Sequence, residues 1–193
     1  MVNLEQGVIV ESGVKRRQYL SEGDVSRIID RHMREVIPFI NNPNGLTVIN
    51  LDGARWFAQQ LLYRASRITG EDHSDQARYI KVKSATGQAQ HGEVHIERWF
   101  SNPAEVRGKD IFVPEDINDL GHTLKKVVAE LTKFSPKSIT TAAQFEKDGV
   151  PKSFTPDIIF AHVPNKYWIG SGLDDGAGYG RELPGLWEVI LQK

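Results

Sequence analysis

Residues 111–124 read IFVPEDINDLGHTL, and this stretch decides the prediction of the fold. It opens with the apolar run Ile111 to Val113, which is short enough to indicate a buried strand. Two adjacent carboxylates and a third one three positions later follow this run. Gly121 and Thr123 then stand just before a helical pattern, where backbone N–H groups are free to bind an anion. The stretch therefore predicts a strand, an acidic turn and a helix that begins at a ligand site.

The rest of the chain alternates between strand and helix patterns. Ser21 and Asp24 have the spacing of a capping box, and apolar residues then recur at helical spacing up to the turn formers Asn41 to Gly45. The alternation predicts an α/β protein with a mostly parallel, doubly wound sheet flanked by helices. Ligands of such sheets bind outside the carboxyl ends of the strands, so the turns after Leu51 and Val113 are candidate sites. The predicted strands are Leu46–Leu51, Ala77–Lys83, Glu93–Phe100, Ile111–Val113, Ser138–Phe145, Ile158–His162 and Tyr167–Ile169, and the helices after the first are Arg55–Ile68 and the segment around Leu124–Leu131.

Composition and charge exclude several classes of protein. The 193 residues suffice for one domain with a single core. The net charge of −1 provides no global basic field, so we expect neither nucleic acid nor a membrane as a partner. The absence of cysteine excludes disulfides, thiolate catalysis and cysteine zinc sites. No apolar stretch has the length of a signal peptide or a membrane span, which predicts a cytoplasmic protein.

The acidic motif has the chemistry of a sugar phosphate site. The backbone N–H groups of residues 120–123 lie where a loop enters a helix, and the Thr123 hydroxyl can add a further contact to a phosphate. Glu115 and Asp116 can accept hydrogen bonds from vicinal hydroxyls such as those of ribose, or hold Mg²⁺ through water. Acids beside a phosphate cradle therefore predict a phosphorylated sugar, a metal ion, or both.

Four segments resemble those of one enzyme family. The run Glu115-Asp116 followed by Asp119-Leu120-Gly121-His122-Thr123 resembles the phosphoribosyl pyrophosphate (PRPP) motif of type I phosphoribosyltransferases. The segments TVINLDGARWFAQQLL, FEKDGVPKSFTPD and PNKYWIGSGLDDGAGYGRELPGL resemble the pyrophosphate loop, the base-recognition segment and the C-terminal segment of hypoxanthine-guanine phosphoribosyltransferases. The four segments occur in the same order as in that family, and the resemblance spans residues 19–191.

The resemblance implies an activity and an organisation. The implied activity is purine salvage, in which the phosphoribosyl group of PRPP is transferred to hypoxanthine or guanine to give IMP or GMP and pyrophosphate, with Mg²⁺ as cofactor. The implied organisation is a single phosphoribosyltransferase-like domain over residues 1–193, with a small hood built from the N-terminal and C-terminal segments and a mobile loop near Lys83–Thr86. A homodimer or homotetramer is also implied.

The resemblance further assigns roles to single residues. Asp119 would exchange a proton with the purine, Lys147 would donate to O6 of a 6-oxopurine, Tyr167 would stack on the base and the Trp168 backbone would meet its edge. Arg181 would pair with pyrophosphate. The remaining implied substrate contacts are Asp52 and Gly53 in the pyrophosphate loop, Glu115 and Asp116 at the ribose, Ile117, Asn118, Leu120, Gly121, His122 and Thr123 around the phosphate, and Asp174; the implied Mg²⁺ ligands are Asp174, Glu115 and Asp116.

Three positions depart from the family pattern. Asp52 stands where a cationic or neutral residue is usual, and a carboxylate about 4 Å from pyrophosphate would cost on the order of 4 kcal/mol at an effective dielectric of 20. We therefore expect the Asp52 side chain to face away from the ligand. Leu120 removes one hydroxyl contact to phosphate, and Ala85 replaces an aromatic residue of the mobile loop, which would weaken closure over the site.

Alternative interpretations remain open from the sequence. The same PRPP site would serve xanthine or another modified purine, and a regulatory protein that binds PRPP or nucleotide without turnover would keep the same fold. A purely structural interpretation would make the acidic cluster a solvated turn, Lys147 a surface lysine, and Tyr167 and Trp168 core aromatics. His91 and His95 lack the spacing of a zinc-protease helix, and neither a dinucleotide fingerprint nor a P-loop occurs.

Overall fold

The computed structural model describes residues 8–11, 14–84, 94–176 and 178–190. Ala85, whose role in a mobile loop was predicted, and His91 lie outside these ranges. The elements are β1 (Val8–Glu11), β2 (Val14–Leu20), α1 (Glu22–Ile40), β3 (Gly45–Asn50), α2 (Arg55–Thr69), β4 (Ala77–Ser84), β5 (Val94–Arg98), β6 (Asp110–Asn118), α3 (His122–Thr132), β7 (Ser138–Lys147), β8 (Ile158–Val163), β9 (Trp168–Ile169) and β10 (Leu186–Ile190).

A six-stranded sheet forms the centre of the molecule, with the spatial order β5-β4-β3-β6-β7-β8. Five strands run parallel to one another, in the order β4, β3, β6, β7 and β8. At one edge, β5 runs antiparallel to β4. Helix α2, which follows β3, packs on one face of the sheet, and helix α3, which follows β6, packs on the other. β3 and β6 are adjacent, so the loops that follow them meet at the carboxyl edge of the sheet.

Helices cover both faces of this sheet. Helices α1 and α2 bury Ile29 and Phe57 against Phe112 on one face. Helix α3 buries Leu124 against Val113 on the other face. Alternate residues of β6 thus enter two different cores, as expected for a strand covered on both sides. The predicted α/β class with a mostly parallel, doubly wound sheet is confirmed.

The predicted start of α1 has the expected capping geometry. The Ser21 hydroxyl accepts a hydrogen bond from the Asp24 N–H at 3.1 Å, and the Asp24 carboxylate accepts one from the Ser21 N–H at 3.0 Å. Two backbone donors that the helix leaves unpaired are satisfied in this way. None of the helices in the described ranges combines the length and the apolar character that crossing a membrane requires.

Strand β6 is longer than the sequence indicated. It extends from Asp110 to Asn118, so Glu115 and Asp116 lie inside the strand rather than in a turn after it. The reason is its neighbour β7, which pairs with β6 as far as Asn118 opposite Glu146. Backbone pairing on the central strand overrides the local preference of Pro114 and the acids for a turn.

A second, four-stranded sheet has the order β1-β2-β10-β9 and combines both ends of the described chain. No local pattern had indicated β1, β2 or β10. Strand β2 reads VKRRQYL, and its inward-facing residue Arg16 is 6% exposed, so the usual apolar alternation is missing. This sheet positions β9 and the glycine-rich segment after it beside the carboxyl edge of the main sheet.

Candidate active site

A cavity of about 460 Å³ opens at the carboxyl edge of the main sheet. It lies where β3, β6 and β7 end and where the segment after β9 folds back over them. Both polar and apolar side chains line it, which suits a ligand with a flat ring and a charged sugar phosphate. The lining residues are Asn50, Asp52, Gly53, Val82, Lys83, Asp116, Ile117, Asp119, Thr123, Lys147, Tyr167, Trp168, Leu173, Asp174, Gly176 and Arg181.

Asp116 forms a buried acidic floor of this cavity. It is 7% exposed, and its carboxylate accepts a hydrogen bond from the Ile117 N–H at 2.8 Å. An ideal Cβ on Gly53 would lie 3.0 Å from the Asp116 carboxylate, so the loop after β3 packs directly on this acid. Burial raises the pKa of Asp116 to about 6, and the hydrogen bond from the Ile117 N–H and then the nearby Arg181 limit the rise. Burial, together with the Asp116 charge, also raises the pKa of Glu115, which is 6% exposed and does not line the cavity.

The raised pKa of Asp116 predicts a pH-dependent stability. The pKa of Asp116 is about 6 in the folded state against 3.8 for the free group. Below pH 3.8 the carboxyl is protonated in both states, and its stabilising effect relative to high pH is fully present. That effect is lost as the pH rises through about 6, because the folded protein must then hold a buried charge. Asp116→Asn should therefore stabilise the fold at pH 7 by up to about 3 kcal/mol, a gain that vanishes near pH 4. Denaturant unfolding of both proteins between pH 4 and pH 7 measures this difference.

Asp110, at the other end of β6, is a control of opposite sign. Hydrogen bonds from Ser138 and Lys137 lower its pKa to about 2, so its stabilising effect is present above pH 3.8 and disappears as the pH falls through about 2. Asp110→Asn should destabilise the protein at pH 7. Equal stability of wild type and Asp116→Asn across pH 4 to 7 would show that burial does not raise the pKa of Asp116.

The start of α3 has the features of an anion cradle. Gly121 is the N-cap in a left-handed conformation with φ of 78°, and no side chain caps the helix. A Cβ at Gly121 would lie 2.5 Å from the Phe154 carbonyl oxygen, so packing alone requires glycine here. Thr123 lines the cavity from the first turn. N–H groups at an uncapped helix start, facing a cavity, attract a phosphate.

Asp119 and Lys147 meet across the ends of β6 and β7. The Lys147 Nζ lies 2.6 Å from the Asp119 Oδ2, and the side chains are 12% and 48% exposed, respectively. Both line the cavity. The pair presents one acceptor and one ammonium donor to the same space, which suits a heterocycle with neighbouring donor and acceptor atoms.

The segment after β9 closes the cavity from the opposite side. Tyr167, just before β9, is 41% exposed and lines the cavity. Trp168 is buried, and its indole N–H donates to the Pro164 carbonyl at 3.0 Å, so its side chain belongs to the core. Asp174 accepts a hydrogen bond from Arg181 at 2.7 Å, which ties the two ends of the glycine-rich turn together.

A second cavity of about 380 Å³ adjoins the first and shares Asp52, Gly53 and Arg181 with it. Arg55, in the first turn of α2, also lines it. The Asp52 carboxylate is half exposed and lies 3.9 Å from the Lys81 Nζ on β4, which offsets part of its repulsion of an anion. Two arginines, Arg55 and Arg181, therefore line the space beside the first cavity.

The structure gathers most of the predicted site residues at one cavity. Those that line it are Asp52, Gly53, Asp116, Ile117, Asp119, Thr123, Lys147, Tyr167, Trp168, Asp174 and Arg181. Asn118 is buried instead, and its amide donates to Glu146 at 2.8 Å. Leu120, Gly121 and His122 form the loop and helix start behind Thr123, and Glu115 lies outside the lining. Arg55 was not among the predicted site residues. The feature that could have indicated it is its position as a basic residue directly after the pyrophosphate-loop pattern LDGA.

The donor set of the cavity fits Mg²⁺. Asp116 and Asp174 both line it, and the Asp174 charge acts on the pKa of Asp116, so the two carboxylates are close. Among the described residues no cluster of three potential metal ligands occurs. Mg²⁺ commonly takes one or two carboxylates and completes its shell with water and substrate phosphates, so two acids suffice.

The fold and the site define an α/β protein of the phosphoribosyltransferase type, with a helix start for a phosphate and a buried acid on the preceding strand. The model of the phosphoribosyl transferase domain matches residues 51–168, which is more than half of the chain, and the chain belongs to that family.

Named enzymes from three organisms are similar to this chain over most of its length. The hypoxanthine-guanine phosphoribosyltransferase of Aquifex aeolicus is 27% identical over 179 residues, covering 92% of this chain and 96% of that protein. A hypoxanthine phosphoribosyltransferase structure from Staphylococcus aureus superposes with a TM-score of 0.77 at 22% identity, covering 90% of this chain and 91% of that one. A mutant of the Trypanosoma cruzi hypoxanthine phosphoribosyltransferase, in complex with the product IMP, gives a TM-score of 0.76 at 21% identity, with 93% and 92% covered.

Proposed function

We propose that this protein is a purine salvage enzyme that transfers the phosphoribosyl group of PRPP to hypoxanthine or guanine. The observation that carries the proposal is one cavity that joins an uncapped helix start, a buried acid and the Asp119–Lys147 pair. A phosphorylated ribose and a 6-oxopurine together have the charges and hydrogen-bonding groups that these residues complement. The similarity to hypoxanthine-guanine phosphoribosyltransferases over nearly the whole chain supports the same substrates.

Each group then has a defined role. The amides of residues 120–123 bind the 5′-phosphate, and Asp116 accepts hydrogen bonds from the ribose hydroxyls. Arg55 and Arg181 face the pyrophosphate in the second cavity. Lys147 donates to O6 of the base and Tyr167 stacks on its ring.

The chemical step joins a ring nitrogen of the base to C1′ of the ribose. The C1′–oxygen bond to pyrophosphate breaks, and pyrophosphate leaves with the electron pair. The base loses a proton, which Asp119 accepts from the imidazole part of the ring. Positioning by the cradle and charge stabilisation by the arginines lower the barrier.

Mg²⁺ would be held by Asp174 and Asp116 together with oxygens of PRPP. When bound, it neutralises the charge that develops on the leaving pyrophosphate. We also propose that residues 1–193 form one catalytic domain, that the four-stranded sheet of β1, β2, β10 and β9 serves as its hood, and that the protein acts in the cytoplasm as a homodimer or homotetramer.

An assay with purified protein tests the proposed reaction. The protein is incubated with PRPP, Mg²⁺ and one of hypoxanthine, guanine, xanthine or adenine, and nucleotide and pyrophosphate are measured. We expect product with hypoxanthine or guanine and little with adenine. Tight PRPP binding without product from any base would instead identify a regulatory protein, and product from xanthine alone would reassign the substrate.

Lys147 should control the choice between 6-oxo and 6-amino bases. In Lys147→Gln the ammonium donor is lost, and a hydrogen bond to a charged group contributes about 1.5–3 kcal/mol. The ratio of kcat/KM for hypoxanthine to that for adenine should therefore fall about 10-fold or more. Lys133→Gln, which removes a lysine paired with Glu130 on α3, is the control and should leave the ratio unchanged. Unaltered selectivity in Lys147→Gln would place the base-recognition group elsewhere.

A further inference from the structure

Lys152, which does not line the cavity, connects the ends of β6 and β7, next to the Asp119–Lys147 pair. The Lys152 Nζ donates to the backbone carbonyls of Asn118 at 3.1 Å, Asp119 at 2.6 Å and Lys147 at 2.6 Å. Asn118 and Lys147 are the last residues of β6 and β7. An ammonium group has three N–H donors, and all three are used here on backbone oxygens.

The residues that follow Lys152 extend this contact along the loop into α3. Both the N–H and the hydroxyl of Ser153 donate to the Leu120 carbonyl at 2.8 Å. The Phe154 carbonyl accepts from the Asn118 amide at 3.2 Å, and its backbone fills the space above Gly121. Residues 152–154, none of which lines the cavity, therefore contact the backbone of residues 118–121.

Lys152 is suited to fixing geometry rather than to binding substrate. It is half-buried and does not line the cavity, so its charge is directed at carbonyls. Those carbonyls lie at the ends of the paired strands β6 and β7. Charge-assisted hydrogen bonds are shorter and stronger than neutral ones, so one ammonium can hold both strand ends at a constant separation.

We infer that Lys152 is a positioning residue that holds the Asp119 end of β6 in register with Lys147 at the end of β7. The inference rests on the proposed function, because Asp119 and Lys147 act on the base there. A displacement of about 1 Å at a reacting group can reduce the rate on the order of 10²-fold. Loss of the three Lys152 hydrogen bonds should therefore lower turnover.

The test compares Lys152→Met, which keeps the aliphatic stem, with Lys152→Arg, which keeps charged donors. Lys152→Met should lower kcat for hypoxanthine about 10-fold or more, and Lys152→Arg should recover part of the loss. Lys137→Met is the matched control, since Lys137 binds the Asp110 carboxylate at the opposite end of β6. It should not change kcat.

A double-mutant cycle separates positioning from general destabilisation. If Lys152 acts through Asp119, Lys152→Met should change the rate of Asp119→Asn by no more than about 3-fold, because the group it positions is already disabled. The same loss in both backgrounds, or an unchanged kcat in Lys152→Met, would overturn the inference.

Amide hydrogen exchange gives a readout that does not depend on turnover. In Lys152→Met, residues 118–123 should exchange faster than in wild type, whereas Lys137→Met should leave them unchanged. If the wild-type protein has no activity with any base, the proposed function fails. Hydrogen exchange alone then tests whether Lys152 holds the ends of β6 and β7 together. Unchanged exchange at residues 118–123 in Lys152→Met would then show that Lys152 does not position this segment.

Discussion

Asp119→Asn should lower kcat for hypoxanthine and guanine by about 10²-fold or more while the dissociation constant for IMP changes by no more than about 3-fold. The substitution keeps the size and the hydrogen-bonding oxygen of the side chain but removes its ability to accept a proton. The Lys147 ammonium, 2.6 Å away, keeps a polar partner, so the cavity should retain its shape. Steady-state kinetics with PRPP and each base, together with calorimetric titration of IMP, measure the two quantities.

Asp148→Asn is the control for this prediction. Asp148 follows β7 closely, is 62% exposed at its side chain and pairs with His162 at 3.0 Å, away from the cavity lining. We expect its turnover to equal that of the wild type. A normal rate in Asp119→Asn would remove Asp119 from proton transfer, and an equal loss of turnover and of IMP binding would assign it to binding instead.

Gly121→Ala should strongly weaken binding of the sugar phosphate. The new Cβ would meet the Phe154 backbone, 2.5 Å from the carbonyl oxygen and 2.7 Å from the nitrogen, and φ is 78°. The left-handed conformation alone costs alanine about 1–2 kcal/mol, and the contact forces the cradle to move in addition. The dissociation constant for IMP should rise on the order of 10²-fold, measured by calorimetric titration.

Gly70→Ala isolates the conformational part of this effect. Gly70 ends α2 with the same φ of 78°, but a Cβ there would meet nothing within 4 Å. We expect a loss of stability of about 1 kcal/mol and an unchanged affinity for IMP. If Gly121→Ala behaved like Gly70→Ala, the backbone before α3 would not be the phosphate cradle.

Much of the fold follows from local sequence patterns. The capping pair Ser21 and Asp24 fixes the start of α1, and the apolar run of LTVIN gives β3. The bounds of β6 were wrong because its last residues are held by pairing with β7, a contact that no local pattern contains. Strand β2 was missed because Arg16 takes the place of an apolar inward residue.

The candidate site was predictable where one short motif supplies several groups. Asp116, Asp119 and Thr123 come from one stretch and line one cavity. The partners that modify these groups come from distant parts of the chain: Lys81 lies beside Asp52, and Lys152 holds the Asp119 backbone. Such pairs depend on how strands are arranged in the sheet, and that arrangement is set by the whole core.

A crystal structure of the protein with IMP would show directly whether the start of α3 binds the 5′-phosphate. We expect the 5′-phosphate oxygens to lie about 2.9 Å from the backbone nitrogens of residues 120–123, with the ribose hydroxyls at Asp116 and the purine between Tyr167 and the Asp119–Lys147 pair. A phosphate bound elsewhere, with the amides at the start of α3 making no contact to it, would show that this helix start is not the phosphate site.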